Sequence, residues 1–398
     1  MNYILFDDAS RESLKPLSYL RPICDMRVGI MTIREKWENY LEEKTSTLTE
    51  SYLAEKYPIE LSESMILING SICPTQDLVD KIKELSVNQV LVFTDEEKEE
   101  EHIIAMSKTS SGFISDTDES EKIEYDGEFT RIVNTWDIFV YNDQELRADF
   151  ERLTRGRKSE EVSSTNTLIN PGRIFIEEGA KIECATLNAT EGPIYIGKDA
   201  EIMEGSNIRG PFAMCNNAVI KLGTKIYGGT TIGPYAKVAG ELSNVVMFGY
   251  SNKAHDGYIG SSVIAEWCNI GADSNASNLK NTYEEVRLWS IEQHTFVPTG
   301  QTFCGTIFGD HTKCGINTMF NTGTVLGISS NIYGHGFQRN FIPSFAWGGN
   351  AGLRLYEIDK AIEVAKRMMA RRDVEMTRVD EKILKYIYRT TLRNKRLR

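Results

Sequence analysis

The stretch IGKDAEIMEGSNIRGPFAMCNNAVIKLGTKIYGGTTIGPYAKV, residues 196–238, carries an apolar side chain at every sixth position: Ile196, Ile202, Ile208, Met214, Ile220, Ile226, Ile232 and Val238. Hydrophobic residues make up 41% of the chain, so eight consecutive hits do not arise by chance. One six-residue step is a short strand and a turn, and three steps close a triangular coil. The periodic residue points inward and stacks on its counterparts in the coils above and below. Gly and Asn take the turn positions, where positive φ costs least. A hexapeptide period predicts a parallel β-helix.

After a small phase shift the period resumes at Val246, Tyr258, Ile264 and Ile270, and again at Phe308, Cys314, Phe320, Leu326 and Ile332. Gly often follows the periodic position, as at Gly197, Gly233, Gly271 and Gly327. The β-helix is expected over 172–350. Residues 279–302, with Trp289, His294, Phe296 and Pro298, interrupt it and predict a loop or hairpin leaving one corner.

Upstream, strands alternate with helices. Tyr3–Phe6, Met65–Ile68 and Val90–Phe93 read as strands, and Thr32–Leu41 and Thr75–Leu85 as helices. This pattern predicts an open α/β layer over residues 1–154. The acidic run Asp95 to Glu101 reads as a solvated loop or helix face. Residues 155–171, charged and then rich in Ser, Thr and Asn, read as a linker. Over 351–398, Ile358, Ile362, Ala365 and Met369 share a helical face, and Ile383, Leu384 and Ile387 mark a second segment. These helices are expected to cap the open end of the β-helix. The excess of basic residues, ending in Arg393, Lys395, Arg396 and Arg398, is a solvated face or holds a partner subunit or an anionic ligand.

The net charge of −12 disfavours a general nucleic-acid binder, which needs a basic surface. No apolar run approaches the ~20 residues of a membrane span. Met1 to Asp8 reads as a first strand, not a signal peptide. The seven cysteines form no CxxC pair and are expected as reduced thiols in a cytoplasmic protein.

The segment Asn252-Lys253-Ala254-His255-Asp256-Gly257-Tyr258-Ile259-Gly260, followed by Cys268-Asn269-Ile270-Gly271-Ala272 and Ser277-Asn278, resembles the acetyltransferase part of the bifunctional UDP-N-acetylglucosamine pyrophosphorylase/glucosamine-1-phosphate acetyltransferase family. The resemblance implies a shortened homologue whose β-helix is left-handed. It implies acetyl transfer from acetyl-CoA to an amino-sugar phosphate in a homotrimer, with sites in clefts between neighbouring helices. It makes His255 the general base and Tyr258 a substrate-phosphate contact. Asn269 and Asn278 then hold the sugar and the acetyl group, and Gly271 and Ala272 lie by the thioester. Lys253 supplies a cation beside them. The spacing just before His255 departs from the family pattern, and Phe248 and Gly249 stand where the family has a basic residue. The chemistry suits these residue types: an amine attacking a thioester must lose a proton, and an imidazole is a base near neutral pH. Amides and Gly turns supply donors to a developing oxyanion. The histidine spacing around His311 and His335 forms no metal pattern.

The N-terminal part resembles a sugar-1-phosphate nucleotidyltransferase. Leu5-Phe6-Asp7-Asp8-Ala9-Ser10-Arg11, Leu14-Lys15-Pro16-Leu17-Ser18, Leu20-Arg21-Pro22 and Val28-Gly29 preserve the order of the family's motifs. The glycines of its phosphate loop are gone, and Asn69-Gly70-Ser71 has serine where the family has its metal-binding aspartate. Arg11, Lys15, Arg21 and Asn69 are the implied nucleotide contacts, with Mg2+ and a nucleoside triphosphate as implied ligands. Asp7, Asp8 or Asp25 would replace the missing carboxylate. Three activities stay open: acetyl transfer, formation of a UDP- or dTDP-sugar, and non-catalytic binding of a sugar nucleotide.

Overall fold

The computed structural model describes residues 2–95, 100–109 and 120–393. It divides into two compact units. The first comprises Met1–Leu14, Leu20–Met26 and Met31–Val133; the second comprises Lys15–Tyr19, Arg27–Ile30 and Asn134–Arg398.

The first unit is built on a six-stranded sheet. Its strands are β1 (Asn2–Phe6), β2 (Thr45–Leu48), β3 (Ser64–Asn69), β4 (Gln89–Asp95), β5 (Glu100–Thr109) and β6 (Glu121–Glu124), in the order β2-β1-β3-β5-β4-β6. Strand β1 pairs in parallel with β2 and β3, and β5 runs antiparallel between β3 and β4. Strands β1 and β3 are apolar between their end residues because both faces are covered there. Helix α1 (Ile33–Leu41) starts at a capping box in which Thr32 accepts from the Glu35 amide and Glu35 reaches back to the Thr32 amide. Helix α2 (Gln76–Lys83) is capped by the Thr75 side chain. The acidic run is not a loop or helix face throughout: Asp95 ends β4, and Glu100 and Glu101 begin β5. Residues 96–99 lie outside the described residues.

The second unit is a parallel β-solenoid. Ile194 pairs with Phe212 and Phe212 with Thr230, so one coil takes eighteen residues, three hexapeptides. The interior stack contains Ile196, Ile202, Ile208, Met214, Ile220, Ile226, Ile232 and Val238, the periodic set of the sequence. The phase shift is a change of coil length. Ile232 pairs with Met247 fifteen residues on, and Met247 with Ile264 seventeen residues on. This moves the expected register by one. Leu242, Val245, Met247 and Ile259 fill the interior, while Val246 and Tyr258 do not belong to it. Ile264 and Phe308 then pair across the interruption. That interruption holds an antiparallel hairpin, Arg287–Ser290 with Thr295–Pro298, whose Trp289 stacks on Phe341 at 4.9 Å.

Positive φ at one corner falls on Asn217, Tyr235, Tyr250, Trp267 and His311 instead of on glycine. The rings of the last four stack in sequence at 5.0, 4.2 and 6.3 Å. Contact between successive coils offsets the backbone cost that glycine would avoid.

Helix α3 (Asn142–Thr154) lies in the second unit. Its Leu146 and Phe150 cover Tyr195 and Ala213 on the outside of the solenoid, together with Ile30. Buried Asn142 fastens its start: the amide donates to the Gly229 carbonyl at 2.7 Å, and its oxygen accepts from the Gly29 amide at 2.8 Å.

At the far end Ala346–Gly349 and Gly352–Leu355 form an antiparallel pair that reverses the chain into α4 (Ile358–Ala370) and α5 (Arg378–Arg393). Ile362, Ala365 and Met369 are buried, as are Ile383, Leu384 and Ile387. The packing of Tyr388 against Phe345 at 5.0 Å places α5 against the last coils. Lys395, Arg396, Arg398 and the side chain of Arg393 lie outside the described residues.

Candidate functional site

The shortened coils build the site. One outer column of the solenoid runs Lys237, Asn252, Asn269, Lys313 and Asn331, each in register with the next. Each precedes the residue that faces the interior, namely Val238, Lys253, Ile270, Cys314 and Ile332. The outer residues therefore line up as a polar ladder on one face. Helix α4 and the turn after it flank this ladder. Between them is a cavity of about 690 Å³, lined by the ladder's first four members, by Ala254, His255, Ile270, Gly271, Ala272 and Ile316, and by Arg367, Met368, Arg371 and Arg372.

Among the described residues, no acidic side chain lines this cavity, and five cations do. Lys237, Arg371 and Arg372 press on one another. The Lys237 amine is held below its ordinary value by burial and then by Arg372, and Arg372 is lowered by burial and by Arg371. Burial pushes the Lys313 amine down to about 8, and its Nζ donates to the His311 carbonyl at 2.8 Å. Cations that lower one another's pKa in a concave site gain most from a polyanionic ligand.

Four of the residues expected at the acetyl-transfer site, His255, Asn269, Gly271 and Ala272, line this cavity together. His255 and Asn269 are exposed to it. Tyr258 and Asn278 do not line it; they sit on the next face of the solenoid, beyond the corner that carries His255. There the Tyr258 amide donates to Asn275 Oδ1 at 2.8 Å, and Asn278 Nδ2 donates to Ser261 Oγ at 3.3 Å. Burial and then Glu241 raise the Tyr258 phenol, with the Asn278 amide opposing them. Lys253 is not in the cavity either. It is fully buried at an interior position, with Nζ donating to the His255 carbonyl at 2.8 Å and to the Asp256 carbonyl at 3.1 Å.

Lys237, Asn252 and Lys313 escaped the sequence reading, and Arg367, Arg371 and Arg372 entered it only within the basic excess of the C-terminal segment. Lys237 and Asn252 carried a usable signal, since each stands one residue before an interior position of the repeat. Lys313 is separated from its neighbour Asn269 by the hairpin. Nothing in the periodicity of α4 places Arg367, or Arg371 and Arg372 just past its end, beside this ladder.

In the first unit, the turn after β1 holds a different arrangement from a glycine-rich phosphate loop. Arg11 is buried and donates to Asp7 Oδ2 at 2.7 Å, to the Arg21 carbonyl at 3.0 Å and to the Tyr52 hydroxyl at 3.1 Å. Asp7 also accepts from the Ile23 amide at 2.7 Å. Asp8 accepts from Asn69 and Arg131, both at 2.9 Å. Asn69 and Arg21 are buried. Lys15 falls in the second unit, its amine 5.8 Å from the Tyr19 ring. Asp25 is paired with Arg34 at 2.5 Å. With Asp7, Asp8 and Asp25 bound to guanidinium groups, they do not form the carboxylate set that a magnesium ion needs. Among the described residues, no three His, Cys, Asp or Glu side chains gather as metal ligands.

Residues 3–158 match the sugar nucleotidyl transferase family. The chain is 31% identical over 217 residues to a bifunctional sugar-1-phosphate nucleotidylyltransferase/acetyltransferase of Sulfurisphaera tokodaii, covering 53% of this chain and 46% of that protein. It is 26% identical over 219 residues to the bifunctional protein GlmU of a Cyanothece species, covering 48% of this chain and 43% of that one. The matches thus span less than half the length of either relative. Among solved structures, the polySia-specific acetyltransferase NeuO covers 53% of this chain at 15% identity, with a TM-score of 0.31. These relatives are transferases. No helix among the described residues is long and apolar enough to cross a membrane.

Proposed function

We propose that the protein transfers an acetyl group from acetyl-CoA to the amine of an amino-sugar phosphate, with His255 as general base. The observation that carries this reading is the placement of an exposed imidazole, an exposed amide and a Gly-Ala turn in one cavity with five cations and no acid. Acetyl-CoA fits this set: its phosphates suit Lys237, Arg367, Arg371 and Arg372, and its apolar arm suits Ile316 and Met368. The sugar amine attacks the thioester carbonyl, and His255 takes the proton that the amine must lose. The carbonyl oxygen gains charge as the bond forms, and the Asn269 amide is at hand to donate to it. The carbon–sulfur bond breaks, and the departing sulfur takes up the proton held by His255, so that coenzyme A leaves as the thiol.

Tyr258 and Asn278 act on the sugar phosphate from the adjoining face. A homotrimer, in which a neighbouring copy closes that face, is the assembly we propose, and light scattering on the full chain tests it. A second reading, formation of a UDP- or dTDP-sugar by the first unit, is favoured by the family match over residues 3–158. Release of pyrophosphate from a nucleoside triphosphate and a sugar 1-phosphate tests that reading.

The deciding experiment follows thiol release from acetyl-CoA with glucosamine 1-phosphate, in the native protein and in His255→Ala. Loss of a general base costs about 10²–10⁴-fold in rate. A folded His255→Ala variant that keeps the native rate removes His255 from the mechanism.

A further inference from the structure

The interior column that lies one step inside the polar ladder reads Ile182, Ile202, Ile220, Val238, Lys253, Ile270, Cys314 and Ile332. Seven of these eight positions are apolar or a thiol, as a stacked core demands. The eighth is a lysine with no solvent exposure. A cation at such a place costs free energy that a methionine of similar length would avoid. Its neighbours on either side, Val238 and Ile270, pack as the others do.

What the amine touches accounts for its presence. Nζ leaves the interior toward the corner formed by residues 254–257 and donates to two carbonyls there, those of His255 and Asp256. This corner follows the fifteen-residue coil, where the repeat is three residues short. Gly257 takes φ of +115° to complete the corner, and an added Cβ there would meet the Ser274 carbonyl oxygen at 2.2 Å. The corner is therefore held by a buried donor on its inner side and by close backbone contact with the next coil.

We infer that Lys253 is a positioning residue, an ammonium group inside the solenoid wall that fixes the His255 corner by its carbonyls and so sets where the imidazole stands in the cavity. This rests on the acyl-transfer reading for its functional consequence, though not for its structural one. The ionisable groups that face the amine are Asp256, Cys314 and Asp273. Burial is the largest influence and pushes the amine down to about 8, with these groups opposing it. An aliphatic side chain here would leave the His255 carbonyl without this donor, and the corner would gain freedom.

The test uses the full-length protein and Lys253→Met. Hydrogen exchange at the amides of Asp273 and Glu241, which donate to the Asp256 and Gly257 carbonyls of the corner at 3.0 and 3.2 Å, reads the corner directly and needs no substrate. Exchange there is expected to quicken by about tenfold or more, the equivalent of losing one net hydrogen bond of about 1.4 kcal/mol. Steady-state kinetics with acetyl-CoA and glucosamine 1-phosphate are expected to show kcat lower by about 10²-fold, the cost of a small misplacement of a reacting group. KM for acetyl-CoA should change little, because the cations that line the cavity are untouched. Lys253→Gln keeps a donor without the charge and should recover part of the protection and part of kcat.

Unchanged exchange at Asp273 and Glu241 in Lys253→Met overturns the proposal. So does equal loss in the Met and Gln variants, which would assign Lys253 to packing alone, and so does failure of both variants to fold. An absence of thiol release from the native protein would instead reject the acyl-transfer reading, while the exchange measurement would still decide the role of Lys253.

Discussion

The guanidinium of Arg372 donates to Oδ1 of Asn252 at 2.8 Å, joining residues 120 apart in the chain. Asn252 directly precedes Lys253, and Arg372 lies just past the end of α4. The contact holds the C-terminal helix against the rung that carries the candidate base. The helices expected to act as an end cap thus also furnish one wall of the cavity.

Arg372→Ala should therefore weaken the binding of coenzyme A. A hydrogen bond to a charged group is worth about 1.5–3 kcal/mol, so the dissociation constant should rise roughly 10- to 100-fold. Calorimetric titration of the full-length protein with coenzyme A at low salt measures it. Equal affinity in the variant would show that the anionic ligand sits elsewhere.

Lys253 and Lys313 should make stability depend on pH above neutrality. Burial lowers both amines to about 8, whereas in the unfolded chain they titrate near 10.5. Below pH 8 both states are protonated and the penalty of burying the cation is full. Between pH 8 and 10.5 the unfolded state binds more protons, so stability rises with pH through that window. The gain for each amine is roughly 3 kcal/mol at most. Lys253→Met lacks its share, so its stability advantage over the native protein should shrink as pH rises from 7.5 to 10. Urea denaturation across that range measures the difference, and a gap independent of pH would contradict the assignment.

Arg11→Ala should act on stability before it acts on any nucleotide. Its ion pair with Asp7 is buried on both sides, with side chains 5% and 6% exposed. Burial already raises the Asp7 carboxyl in spite of Arg11, so removing the guanidinium strands a buried acid. A loss of about 3–5 kcal/mol is expected, seen as a lower midpoint of thermal unfolding. Replacing both partners, Asp7→Asn with Arg11→Met, should cost less than the single change. If Arg11→Ala leaves the midpoint in place and weakens nucleotide binding instead, Arg11 is a ligand contact.

The solenoid was legible because its stabilising interaction repeats. An inward residue in every coil meets the same kind of neighbour above and below, so one six-residue rule recurs from Ile196 to Val238 and can be read without knowing the fold. The break after Val238 was visible too, yet its meaning was not. A fifteen-residue coil moves Tyr258 out of the interior and sets Lys253 within it, and only the pairing of Ile232 with Met247 reveals that shift. The first unit was read from local patterns, which recover β1, β3, β4 and the capped helices. Strand β5 was lost in its charged start, because a strand at the sheet's middle is specified by its partners β3 and β4.

The sequence by itself determined the hexapeptide coil and the capped helices, which depend on residues close in the chain or on a regular repeat, and its resemblance to a known family picked out His255, Asn269, Gly271 and Ala272. Tertiary structure alone decided that Lys313 stands beside Asn269, that Arg367, Arg371 and Arg372 face the same cavity, and that Arg11 is locked to Asp7. Each of these depends on where a distant segment comes to rest. Chain separation carries no record of that, and the balance of burial, charge and hydrogen bonding that settles it is struck only in the folded molecule.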